Sequence, residues 1–125
     1  MSKLMMSAVF GLLLTCGFAV PANAGETGIA AIHAWVQSGK KTCIQAHWHT
    51  GSGSGYPTKQ AAEMEAINVW INFTALDYGT DWMSYRLAES KTSKCEKSSD
   101  GWACIVEARA CKLTPAAQRS AAVKR

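Results

Sequence analysis

Thr58-Lys59-Gln60-Ala61-Ala62-Glu63-Met64-Glu65-Ala66-Ile67-Asn68-Val69-Trp70-Ile71-Asn72-Phe73-Thr74-Ala75-Leu76-Asp77-Tyr78-Gly79 is the stretch that decides the fold. Ala62, Ala66, Val69, Trp70 and Phe73 fall on one stripe at helical spacing, and Ile67, Ile71 and Ala75 widen it. Glu63, Glu65, Asn68 and Asn72 mostly avoid that stripe. Thr58 suits the N-cap, because its hydroxyl accepts from a free backbone N–H of the first turn. Gly79 stands where a helix stops. The pattern predicts a helix over residues 59–77, and its apolar face needs a second layer to cover it.

The segments on either side read as strands. Residues 31–49 predict a hairpin about the two-residue turn Gly39-Lys40, with Trp35 opposite Ile44, His33 opposite Ala46 and Ala31 opposite Trp48. That register gathers Ala31, Trp35, Ile44, Ala46 and Trp48 on one face, with His33 among them. It puts His47 and His49 on the other. Gly51-Ser52-Gly53-Ser54-Gly55 reads as a flexible loop into the helix. Beyond Gly79, residues 82–89 are a candidate strand, though 86–89 also suit a helix. Residues 94–97 and 102–111 predict a second hairpin around 98–101. The expected fold is a two-layer α+β domain of order ββαββ, with one antiparallel sheet of four or five strands packed on one helix.

The chain opens with Lys3, an apolar run over residues 4–20 and the small-residue site Ala22-Asn23-Ala24. This predicts a secretory signal peptide at 1–24, followed by one domain at 25–112 and a disordered basic tail at 113–125. The periplasm or the extracellular space is the expected location. The stretch Leu13-Leu14-Thr15-Cys16-Gly17 also approaches a lipoprotein box, which makes a lipid anchor through Cys16 the minor alternative. Without residues 1–24 the charge is 12 basic against 9 acidic, or +3. That is too mild to argue for nucleic acid. No later apolar run approaches the ~20 residues of a membrane span.

In an oxidising compartment Cys43, Cys95, Cys104 and Cys111 read as staples. A turn at 98–101 sets Cys95 opposite Cys104. Cys104 and Cys111 are seven residues apart on one strand, so they face opposite sides. The favoured pairing is Cys95–Cys104 with Cys43–Cys111. Cys43–Cys104 with Cys95–Cys111 stays open.

Candidate chemistry is sparse. His47 and His49 flank Trp48 and project from one strand face, a geometry zinc or copper uses, but a third ligand is not nearby. The glycine segment meets a helix N-terminus, so Gly53 and Tyr56 join His47 and His49 as candidate ligand-binding residues. The five tryptophans read mainly as core, with one or two as an exposed sugar or peptide platform. No nucleophile elbow or carboxylate pair is legible, so no catalytic residue is assigned.

The run His47-Trp48-His49-Thr50-Gly51-Ser52-Gly53-Ser54-Gly55-Tyr56-Pro57-Thr58, the helix end Asp77-Tyr78-Gly79-Thr80-Asp81-Trp82 and the run Gly101 to Cys111 together resemble small exported proteins of rhizobia-like bacteria. The resemblance spans roughly residues 30–112. It implies an exported bacterial setting and no activity or site. The expectation from all of this is a non-enzymatic, disulfide-stabilised envelope or secreted protein. It acts as a monomer, without a cofactor, on an unidentified protein or small ligand. A metal-binding protein using His47 and His49 is the alternative, and a small hydrolase the third reading.

Overall fold

A computed structural model describes residues 28–125. The expected signal peptide, Cys16 and the start of the expected domain at residue 25 lie outside the described residues. The elements are α1 (Gly28–Ile32), β1 (Trp35–Ser38), β2 (Lys41–Ile44), β3 (His49–Tyr56), α2 (Lys59–Tyr78), a 3-10 turn (Thr80–Trp82), β4 (Glu89–Ser98), β5 (Gly101–Arg109), β6 (Cys111–Leu113) and α3 (Pro115–Val123). The class is α+β, as the patterning predicts. The sheet differs: two antiparallel three-stranded sheets replace one, in orders β1-β2-β6 and β3-β5-β4. No helix among the described residues is long and apolar enough to cross a membrane.

The helix follows its sequence signals. The Thr58 side chain accepts from the Ala61 N–H at 3.1 Å, and Gly79 ends the helix at φ 96°. Its covered stripe is a straight i, i+4 row: Ala62, Ala66, Trp70, Thr74 and Tyr78 are all buried. Val69 and Phe73, expected on that stripe, are exposed instead. The helix tilts toward the small residues because they allow the closest approach to the sheet.

That approach explains the glycine segment. Residues 51–55 are not a loop but the body of β3, with Gly51 and Gly53 facing α2 and Ser52 and Ser54 facing out. A Cβ on Gly53 would stand 2.6 Å from the Ala62 carbonyl oxygen, and one on Gly51 would stand 2.6 Å from the Trp70 nitrogen. Strand and helix backbones therefore meet with nothing between them. β5, the central strand, adds Cys104, Val106 and Ala108 to the same layer while Ile105 and Glu107 face away. Trp70 fills the space beyond, and its indole N–H donates to the Ala108 carbonyl at 3.1 Å.

The β1–β2 register is as read, with Trp35 opposite Ile44, but it stops there. Ala31 lies in α1, and His33 between α1 and β1, so neither pairs in a strand. Of the expected strand at 82–89 only Glu89 is in a strand, as the first residue of β4; Trp82 ends a 3-10 turn and drops into the core. Beside it Ile44, Ala30 and Tyr78 extend the same buried cluster that holds Ala62, Ala66 and Trp70. Lys112 lies over two tryptophan rings at the edge of this cluster, 4.5 Å from the Trp35 centroid and 4.6 Å from that of Trp82. The segment 113–125, expected as a disordered tail, forms the end of β6 and α3, whose start is capped by Thr114 over Pro115.

Both disulfides match the favoured pairing. Cys95 faces Cys104 across β4 and β5, and Cys43 faces Cys111 across β2 and β6. The second bridge sits beside the junction of the two sheets. β5 runs through Ala110 into β6 as one line, and the Ile44 N–H still donates to the Ala110 carbonyl. The facing chain does not keep pace. Cys43 pairs with Cys111 and His49 with Ala108, so six residues on one side span three on the other. The surplus at 45–48 leaves the ladder, turned by Ala46 at φ 53°. This excursion is why one expected sheet becomes two.

Candidate histidine site

The excursion at 45–48 carries His47 out of the ladder. The Gln45 N–H donates to the Ala34 carbonyl at 2.8 Å, which pins the start of the excursion beside the link between α1 and β1. His33 sits in that link. Its Nε2 lies 2.6 Å from His47 Nδ1. The third histidine, His49, opens β3 and turns inward to the end of α2. All three histidines of the chain therefore gather around Tyr78, with ring centroids 5.4, 6.2 and 4.4 Å from it for His33, His47 and His49.

The hydrogen bonds assign the protons. His33 Nδ1 lies 2.8 Å from the Ile29 carbonyl, which only accepts, so Nδ1 carries the hydrogen. In that tautomer the Nε2 lone pair of His33 faces His47, which donates to it from Nδ1. The Tyr78 hydroxyl is 3.1 Å from that same His47 nitrogen. Burial pushes the Tyr78 phenol up to about 12, and the Asp77 carboxylate pushes the same way, so it stays a hydroxyl.

His49 plays a different part. It is 3% exposed and stacks on the Tyr78 ring. Its Nδ1 meets the Thr74 hydroxyl at 2.9 Å. Its Nε2 faces Asp77 at 3.5 Å, which is too long for a hydrogen bond but close enough for attraction. Burial nevertheless dominates and pulls the His49 pKa down to about 4, against Asp77 and with help from His47 and His33. His49 is therefore a neutral, inward-facing support for Tyr78.

The structure divides the residues singled out from sequence. It brings His47 to His33 rather than to His49; the His47 and His49 rings stand perpendicular at 5.4 Å. Gly53 is buried against α2, and Tyr56 closes β3 opposite Trp102, about 23 Å along the strand from His49. Those two belong to no common site with the histidines. Strand parity missed His33, because it assumed that a straight strand ran through 31–34 and 45–49. Thr74 and Tyr78 were missed as well; the signal that marks them is that they continue the Ala62–Ala66–Trp70 row at four-residue steps. Of the tryptophans, Trp70 and Trp82 are fully buried, while Trp35 and Trp48 are each 41% exposed.

Glu89 also lies against the sulfurs of Cys43 and Cys111, but oxidised cysteines offer no thiolate to a metal. Glu89 is engaged elsewhere: it takes Lys41 at 2.8 Å, Arg109 at 2.9 Å and the Ser38 hydroxyl at 2.7 Å. No protein-family model, no curated protein and no solved structure matches this chain.

Proposed function

We propose that this chain is a small exported binding protein, stapled by its two disulfides, whose histidine site takes a divalent transition-metal ion. The observation that carries the reading is the His33–His47 pair. A metal-binding imidazole ordinarily donates its other N–H to a carbonyl or carboxylate, which fixes the tautomer and aims the lone pair. The Ile29 carbonyl does this for His33, whose Nε2 points at His47 Nδ1. Zinc–nitrogen bonds of about 2.0–2.1 Å at tetrahedral angles place two ligand nitrogens about 3.3 Å apart. The rings must separate by about 0.7 Å, a small side-chain rotation, and His47 must move its proton to Nε2.

The Tyr78 hydroxyl stands within reach as a third donor, and water completes the shell. Two imidazoles with open positions favour Cu(II) over Zn(II) by the usual order of divalent affinities. His49 and Thr74 hold Tyr78 in place and do not ligate. The export setting remains part of the proposal; its support is the pair of disulfides and the resemblance described above.

Calorimetric titration of the oxidised protein with CuCl2 and with ZnCl2, in a buffer that does not coordinate metal, tests the reading. One ion per chain is expected, tighter for copper, with affinity lost in His33→Ala and in His47→Ala. Undiminished binding in the double variant, or no binding by the wild type, overturns it.

A further inference from the structure

A second candidate site lies at the other end of the small sheet. A cleft of about 550 Å3 opens between α3, the β1–β2 turn and residues 86–87. Its size falls within the range of about 300–1,000 Å3 common to small-molecule sites. The floor is apolar, with Leu87, Leu113, Ala117 and Ala121. The rim carries Lys40, Arg86 and Lys124, and no acidic side chain lines it.

The charges make this more than a surface dent. Lys40, Arg86 and Lys124 form no ion pair among the described residues. Glu89, two residues beyond Leu87, is already held by Lys41 and Arg109. Three uncompensated cations around one apolar cleft raise its potential and favour an anion. α3 adds an independent sign. None of its residues is buried, although Ala117 and Ala121, one turn apart, face the cleft. The helix is held at its start by the Thr114 N–H donating to the Lys40 carbonyl at 2.9 Å, so it keeps its place without closing.

We propose that this cleft binds a small anionic amphiphile, with its carboxylate among Lys40, Arg86 and Lys124 and its apolar body along Leu87, Leu113 and the alanines of α3. The proposal is independent of the histidine site.

Dodecanoate is the probe, below its micelle concentration and with EDTA present. Calorimetry follows affinity, and amide shifts in two-dimensional NMR follow location. Saturable binding is expected, with the largest shifts at Leu87, Leu113 and Ala117. Each lost charge contact weakens binding by about three- to tenfold, so Arg86→Gln/Lys124→Gln binds dodecanoate about ten- to a hundredfold more weakly, and dodecanol, which lacks the carboxylate, binds the wild type at least about tenfold more weakly. Equal affinity for dodecanol, an unchanged double variant or shifts centred on His33 and His47 overturns it.

Discussion

Gly51 rests directly on the backbone of α2 at Ala66 and Trp70. An added Cβ at 51 would collide with the Ala66 carbonyl and stand 2.6 Å from the Trp70 nitrogen. Both obstacles are backbone, so they yield only if the helix lifts from β3. Overpacking of this kind costs typically about 1–3 kcal/mol and more where backbone must shift. Gly51→Ala is expected to lose about 3 kcal/mol in urea unfolding. Gly28→Ala, with nothing within 4 Å of the new carbon, serves as the control and is expected to change little.

The two staples are expected to differ in worth. Cys43 and Cys111 are 68 residues apart, Cys95 and Cys104 nine. In the chain-entropy account the longer loop contributes about 4 kcal/mol and the shorter about 2.5–3. Paired Cys→Ala variants, unfolded in denaturant without reductant, are expected to fall in that order. A Cys95→Ala/Cys104→Ala protein less stable than Cys43→Ala/Cys111→Ala contradicts the entropic ranking.

Glu89 sets an acid limit. Hydrogen bonds from Lys41 above all, then Ser38 and Arg109, pull its pKa from 4.5 to about 2. A carboxylate lowered on folding stabilises the protein fully above its unfolded pKa. That stability drains as pH falls from 4.5 through 2. The contribution at neutral pH is on the order of 2–3 kcal/mol. Glu89→Gln is expected to cost about 2 kcal/mol at pH 7 and to flatten the stability curve below pH 4.5. An unchanged acid limb, followed by circular dichroism, refutes the assignment.

Thr74→Val probes the support beneath the histidine pair. Valine matches threonine in shape but leaves His49 Nδ1, paired with Thr74 at 2.9 Å, without its partner in a buried site. An abandoned buried polar group costs about 1–3 kcal/mol. Stability is expected to drop by that amount, measured by thermal or denaturant unfolding. If the proposed site holds copper, its affinity drops only severalfold, because Thr74 bonds His49 and His49 stacks on Tyr78, outside the His33–His47 pair.

Tyr78→Phe separates the third donor from the ring that carries it. The phenyl keeps its stack on His49, 4.4 Å between centroids, and only the hydroxyl near His47 is lost. Copper binding is expected to weaken about tenfold with one ion still bound, as one weak ligand is replaced by water. Complete loss of binding would place the tyrosine, not the histidine pair, at the centre of the site.

How far the chain could be read depended on what each residue needs. The helix at Lys59–Tyr78 was legible because its cap, its spacing and its stop agree. Cys95 opposite Cys104 was legible because strand parity leaves little freedom. Gly51 and Gly53 misled, because glycine signals mobility when read locally, whereas here its missing side chain is a packing surface. α3 was hidden by its alanine-rich, weakly apolar face, which buries nothing and so lacks a core stripe. His33 was misplaced because parity holds only while paired strands advance together. Nothing local marks where Gln45 to Trp48 part from the ladder except the αL turn at Ala46, a conformation alanine seldom advertises.

The excursion at 45–48 makes the histidine pair a matter of slack rather than of scaffold. Both sheets are tied down on either side of it, by Cys43–Cys111 below and by the β3–β5 ladder above. Three residues removed there would let the two ladders merge into one ribbon with the core untouched, and His47 would no longer reach His33. Insertions and deletions in this one segment can create, retune or erase the site while the stapled body stays the same. Among related chains, the length of this segment is therefore a better guide to the presence of the histidine pair than overall similarity.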